Sequence, residues 1–169
     1  ESESRGLGDV YKRQVFTKIS NLSKVTISVI EGACMAGAVG IACATDFLVS
    51  TSDAKYALTE TKIGLTPAQI APYILKKVGF NIGKKLMLLG EGFSGDEAFL
   101  IGMADYVVKD KNHLDSEVLQ IMNKVKKCSP NGIAVTKNLL NSNYTIDTMH
   151  AAKLFSCLLY TSDAADDGL

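Results

Sequence analysis

From Val25 to Pro72 the chain reads VTISVIEGACMAGAVGIACATDFLVSTSDAKYALTETKIGLTPAQIAP, and no other stretch constrains its fold as much. Val25, Ile27 and Val29 alternate with Thr26 and Ser28, the period of a strand, and Glu31-Gly32 closes it. From Ala36 to Ala44 nearly every residue is small or apolar, which predicts a buried helix packed very close to its neighbours. A glycine-rich strand-to-helix turn leaves the first backbone N–H groups of the helix unpaired. Such donors can hold a negative charge that develops on a carbonyl oxygen. One carboxylate, Glu60, follows in apolar and hydroxylic surroundings.

The rest of the pattern alternates short strands with helices. Phe47 to Ser50 is a short strand, and Lys55 to Leu58 a further extended piece that places Glu60 just after its end. Pro67 and Pro72 open a helical segment, Ala68 to Val78, in which Ile70, Tyr73, Ile74, Leu75 and Val78 recur at helical spacing. Ile82 to Leu89 reads as a second amphipathic helix with Lys84 and Lys85 on its polar side. Ser94 precedes Glu97 by three residues, a capping box that starts a helix to Ile101. Tyr106 to Val108 is a strand, Leu114 to Val125 a helix, Pro130 to Leu140 another, and Thr145 to Phe155 a last helical region. No repeat of fixed period and no low-complexity linker interrupts the sequence.

The two ends follow neither period. Glu1 to Gln14 and Leu158 to Leu169 resemble translated sequencing-adapter sequence and are set aside as non-native tails, so Val15 to Cys157 is expected to be an internal fragment. The 169 residues carry 18 basic and 18 acidic side chains; without the ends 15 and 12 remain. That bias is too weak for a nucleic-acid partner, although it suits a phosphate-bearing ligand. No apolar run approaches the roughly 18 residues of a membrane span. Cys34, Cys43, Cys128 and Cys157 show no paired spacing and read as reduced core thiols of an intracellular, cytoplasmic protein, not as a disulfide or metal framework. Tyr73, His113 and His150 are taken as structural, since none stands at ligand spacing.

At these residues the chain resembles the crotonase superfamily, the enoyl-CoA hydratase/isomerase fold. That family shows a strand, then N-G-x-A-x-G-G-G, a short helix, and later a P-E or T-E step before G-x-x-P. The counterparts are Glu31 to Ala38, then Thr45-Asp46, then Thr59-Glu60 and Gly64-Leu65-Thr66-Pro67. Leu89 to Ala98 through Gly102 to Val108 resembles the family's second signature. The resemblance implies an α/β fold: a crotonase spiral of ββα turns over residues 15–110, then a C-terminal helical portion over 111–157, truncated at both ends. It also implies an acyl-CoA thioester as partner, no separate cofactor because coenzyme A is part of the substrate, and assembly as a homotrimer or hexamer.

The same resemblance assigns roles. Gly37 N–H becomes one donor of an oxyanion hole whose second donor comes from a turn before Val15, and Ala33, Met35, Ala36, Leu65 and Pro67 become substrate-binding. Glu60 becomes the acid-base catalyst, a task that suits a carboxylate in apolar surroundings. The family's other glutamate falls on Gly40, which can do no acid-base work. Bacterial hydratases of branched glutaconyl-type thioesters, the methylglutaconyl-CoA and isohexenylglutaconyl-CoA enzymes, resemble this chain in having V-G-L there. They also share P-A-x-I-x-P, as in Pro67 to Pro72. The expected activity is therefore hydration of such a thioester, with branched-chain amino acid or isoprenoid breakdown as its setting. Two alternatives stay open: a Δ3/Δ2 enoyl-CoA isomerase, which needs one carboxylate, and an inactive member of the fold used for binding or oligomerisation.

Overall fold

The computed structural model describes residues 14–142. The helix expected over Thr145 to Phe155, with His150 and Cys157, lies outside them, as do residues 1–13 and 158–169. Helix α1 covers residues 14–20. Six strands and five further helices follow: β1 (Ile27–Ile30), β2 (Ala33–Met35), α2 (Gly37–Ala44), β3 (Phe47–Thr51), β4 (Lys55–Ala57), α3 (Ala71–Leu89), β5 (Gly92–Ser94), α4 (Gly95–Leu100), β6 (Tyr106–Val108), α5 (Leu114–Val125) and α6 (Pro130–Asn141).

The strands build two three-stranded sheets, and the chain alternates between them from β1 to β4. One sheet has the order β1-β3-β6, all parallel; the other has the order β2-β4-β5, with β2 and β4 parallel and β5 antiparallel to β4. The first two turns each lay one strand in the first sheet and the next in the second, advancing by one strand; β5 then folds back on β4 in the second sheet before β6 returns to the first. Ile27 pairs with Phe47 in the first sheet while Cys34 pairs with Tyr56 in the second. This is the spiral of ββα turns that the sequence implied.

The core brings both sheets together with helices α2 and α3, and Val39, Leu48, Tyr56, Leu58, Ile74 and Met103 are all buried in it. A smaller cluster of Val49, Leu114 and Ile121 seals the other face of the first sheet under α5. Tyr56 and Phe93 face each other across the β4 and β5 pair, their rings stacked at 5.3 Å. Such a pair contributes about 0.5–1.5 kcal/mol beyond its area.

Polar ties fix the loops. Asp105 Oδ2 accepts from Leu48 N–H at 2.7 Å and Lys77 Nζ at 2.6 Å, joining β3, α3 and the approach to β6. Asp46 Oδ2 accepts from Thr26 N–H and Thr26 Oγ1 and from the buried Lys137 Nζ at 2.6 Å, so α6 is fastened to the start of the first sheet. The Ser94 and Glu97 capping box forms as its spacing predicts, with Glu97 N–H on Ser94 Oγ at 3.2 Å and Ser94 N–H on Glu97 Oε2 at 2.7 Å.

The differences from the sequence expectations are local. The two helices expected either side of residue 80 are both present, since the run Ala71–Leu89 is broken at Gly79, whose φ of 75° and ψ of 170° no helix accommodates. Strands β2 and β5, three residues each, carry too little alternation to be seen in the sequence. Cys34 and Cys43 are buried as expected, but Cys128 is exposed. It sits past the last turn of α5, where its thiol shares the carbonyl of Lys124 with the Lys127 N–H rather than packing in the core.

Candidate functional site

Two chain segments converge on one cavity, and the last hydrogen bond beyond the β2–β4 ladder fixes the turn between them. Ala36 N–H donates to Ala57 O at 2.8 Å, so the turn that opens α2 is held against the end of β4, three residues before Glu60. Ala36 takes φ 50° and ψ −118°, a conformation that disfavours an L-residue with a Cβ, and it has the positive φ at a place where the family's motif has glycine. The next residue, Gly37, starts α2, and its N–H makes no hydrogen bond to the described residues. Backbone strain of this kind persists only when the surrounding structure holds it in place. Here the Ala57 bond and the buried face of α2 do so.

Glu60 opens a short 3-10 turn, Glu60–Ile63. Its backbone carbonyl accepts from Leu65 N–H at 2.9 Å, and the neighbouring Thr61 hydroxyl donates to Met87 O at 3.0 Å, which ties the turn to the end of α3. The side chain is half-buried, and its Oε2 is shut off from solvent with no hydrogen-bond partner. A buried carboxylate oxygen with no donor is costly. That oxygen is left open to a hydrogen-bond donor that enters the cavity.

That cavity holds about 460 Å³. Of the residues predicted for the site, Ala36, Gly37, Glu60, Leu65 and Pro67 line it. Ala33 and Met35 do not; both are exposed on β2. Sequence reasoning missed Phe16 of α1 and the polar groups Thr59, Thr66 and Gln69, all of which reach the cavity wall. Phe16 is buried, and its ring lies 5.6 Å from that of Tyr73, whose hydroxyl is 3.3 Å from Thr17 Oγ1, so Tyr73 packs against α1. The spacing of Phe16 and Ile19 on one helical face was the available signal. His113 hydrogen-bonds Asp110 at 2.9 Å on the surface before α5, away from the cavity.

Position 40 is closed. A Cβ built on Gly40 would lie within 2.7 Å of Ile70 Cβ, and Phe16 stands on its other side. No carboxylate could be presented from there without moving Ile70. Glu60 is thus the one ionisable group among the described residues that line the cavity. Among the described residues no cluster of histidine, cysteine, aspartate or glutamate could hold a metal ion, and no helix is long and apolar enough to cross a membrane.

A strained strand-to-helix turn presenting a backbone N–H and one carboxylate with an orphaned oxygen thus meet in one cavity. The family model described as Enoyl-CoA hydratase/isomerase matches residues 8–167, and the chain belongs to that family. It is 32% identical over 133 residues to the mitochondrial Delta(3,5)-Delta(2,4)-dienoyl-CoA isomerase of Dictyostelium discoideum, covering 77% of this chain and 45% of that protein. It is 27% identical over 139 residues to the mitochondrial methylglutaconyl-CoA hydratase of Mus musculus, covering 80% of this chain and 44% of the relative. Its fold matches the crystal structure of an enoyl-CoA hydratase/isomerase from Marinobacter aquaeolei with a TM-score of 0.82 and 30% identity, over 95% of this chain and 60% of that one. The chain spans about half the length of the curated relatives it matches.

Proposed function

We propose that the site adds water across the α,β double bond of an acyl-CoA thioester, with a branched glutaconyl-type acid as the acyl group. The observation that carries this reading is the orphaned Oε2 of Glu60 in the same cavity as the Gly37 N–H. Polarisation of the thioester carbonyl by Gly37 N–H makes Cβ electrophilic, because the enolate charge formed on attack is then stabilised. Glu60 takes a proton from water as its oxygen bonds to Cβ, and the same carboxylate returns a proton to Cα. With one carboxylate doing both steps, water's oxygen and the new Cα–H add to the same face.

The glutaconyl preference rests on the Val39-Gly40-Ile41 and Pro67-to-Pro72 patterns, and the mouse relative is named for such a substrate. The lone carboxylate also favours a second reading. A Δ3/Δ2 isomerase needs only one group to carry a proton between two carbons, and the Dictyostelium relative is an isomerase by name. In either case the complete protein acts as a homotrimer or hexamer on an acyl-CoA thioester, and needs no separate cofactor.

The test is to assay the complete gene product containing this chain with crotonyl-, 3-methylglutaconyl- and 3-enoyl-CoA, following both water addition and double-bond migration. Glu60→Gln is expected to lower kcat about 10²-fold or more while thioester binding survives. Near-full turnover in Glu60→Gln removes Glu60 as the catalyst. Double-bond migration alone in the wild type replaces the hydratase reading with the isomerase one. Turnover on no enoyl thioester favours the inactive binding or oligomerisation member.

A further inference from the structure

A water molecule that is to attack Cβ must be held in direction as well as deprotonated, and one carboxylate fixes only one of its hydrogens. A second acid is excluded at position 40, where Ile70, 4% exposed, already fills the space. The residue that precedes Ile70 is Gln69. Its backbone belongs to a braced turn, in which Ile70 N–H and Ala71 N–H both donate to Pro67 O, at 3.1 and 2.9 Å. Ile70 packs against Gly40 of α2, and Gln69, its neighbour in the chain, lies on the cavity wall. Gln69 lines the cavity, is half-buried, and its amide makes no hydrogen bond to the described residues.

We propose that Gln69 is the second ligand of the attacking water, its side-chain amide supplying the orientation that the single carboxylate cannot. This rests on the hydratase reading of the same site. Glutamine has the reach of glutamate and offers both an acceptor and two donors, but it carries no proton to give. The proton balance therefore stays with Glu60. One water O–H is held by the amide carbonyl; the other breaks, its proton passing to Glu60 as the oxygen bonds to Cβ. The π electrons move into the enolate, and Glu60 returns the proton to Cα. Thr59 and Thr66 also line the cavity. Thr59, however, adjoins Glu60 in the chain and shares its wall, and Thr66 is exposed, so Gln69 is the lining amide that gives the water a separate second direction.

The test uses Gln69→Leu and Gln69→Glu in the complete gene product. With Gln69→Leu, water addition is expected to fall about 10- to 100-fold in kcat, the worth of a positioned polar group. Binding of a saturated acyl-CoA is expected to hold within about twofold. Exchange of the α-proton of that saturated thioester with solvent deuterium needs Glu60 and the polarised carbonyl but no attacking water, and it is expected to persist. Gln69→Glu is expected to recover part of the hydration rate and to add a second ionisation to its pH profile. The proposal is overturned if Gln69→Leu hydrates at the wild-type rate, or if α-proton exchange falls in parallel with hydration, which would mean that the substitution displaced Glu60. Absence of water addition by the wild-type protein on every thioester removes the hydratase reading and this proposal together, whereas a silent Gln69→Leu beside a dead Glu60→Gln removes this proposal alone.

Discussion

Ile70 occupies the space that any side chain at Gly40 would need: a Cβ there would meet Ile70 Cβ at 2.7 Å and Phe16 Cε1 at 3.4 Å. Helix α2 can approach α3 this closely only because residue 40 has no side chain. Overpacking a buried helix contact costs about 1–3 kcal/mol. That outweighs the helix propensity of about 1 kcal/mol gained in replacing glycine by alanine. Gly40→Ala is therefore expected to lower stability in urea denaturation, and to cost measurably less in an Ile70→Ala background. Gly40→Glu is expected to destabilise more and to raise no activity. Additive free energies for Gly40→Ala and Ile70→Ala would show that the two residues do not compete for the same volume.

Ala36 is a different case, because its strain lies in the backbone and not in packing. At φ 50° and ψ −118° an alanine is disfavoured where a glycine is not. Ala36→Gly is expected to raise the unfolding free energy by roughly 1 kcal/mol, the gain from strain relief less the entropy that glycine adds to the unfolded chain. A lower Tm for Ala36→Gly would mean that the alanine methyl stabilises the cavity wall by more than its backbone costs.

Why the sequence was readable in some places and not in others follows from the length scale of the forces. Helix α5 and strand β6 have the bounds that their spacing predicts, and α2 begins one residue into the small, apolar run Ala36 to Ala44, because local composition and periodicity decide them. Strand β2, by contrast, exists because Cys34 pairs with Tyr56 two strands on, a contact that no local pattern records. The site divides in the same way. Gly37 and Glu60 were visible as motif residues, whereas Phe16, Gln69 and the blocking role of Ile70 depend on how α1 and α3 pack against α2. Cys128 misled because an apolar neighbourhood in sequence, Val125 and Ile133, does not bury a residue at the junction between two helices.

Lys137 is 9% exposed and is held by Asp46 at 2.6 Å and by the carbonyl of Lys24 at 2.8 Å. Removing one partner of a buried pair leaves the other charge uncompensated, at a cost of about 3–5 kcal/mol. Lys137→Met is expected to destabilise by that order, with Asp46 left beside Thr26 and without its cation. Asp46→Asn/Lys137→Met together are expected to recover much of the loss. If the double variant were as unstable as the sum of the two singles, the pair would not be the source of the stability.

Three buried groups set an alkaline limit. Burial pushes the Cys34 thiol up to about 11 and the Cys43 thiol to about 12, the latter in spite of the nearby Lys77. Burial also pushes the Tyr56 hydroxyl up to about 12, against the hydrogen bond it donates to Ser50. Each group binds its proton more tightly folded than unfolded, so its contribution is complete below its ordinary value, 9.0 for the thiols and 10.0 for the tyrosine. It is lost as pH rises through the folded values. Unfolding free energy is expected to fall from about pH 9 upward, at up to about 1.4 kcal/mol per pH unit for each group. Cys34→Ala/Cys43→Ala is expected to flatten the onset of that fall. An unchanged slope in that variant would place the alkaline limit elsewhere.

Glu60 carries the last prediction, because the feature that fits it for chemistry should also weaken the fold. Its Oε2 is buried without a donor, although the backbone around it is tightly held by Leu65 N–H and Thr61. An unpaired polar atom costs about 1–3 kcal/mol, more when charged. A glutamine in the same place has the same shape and no charge to desolvate. Glu60→Gln is therefore expected to unfold at a higher temperature, with a stability gain of about 1–2 kcal/mol, in the same preparation in which its turnover falls about 10²-fold. Differential scanning calorimetry of both proteins at pH 7, beside the thioester assay, reads the two effects together. A variant that loses both activity and stability would show that Glu60 supports the 3-10 turn, and that the lost turnover reflects a disordered site and not a missing base.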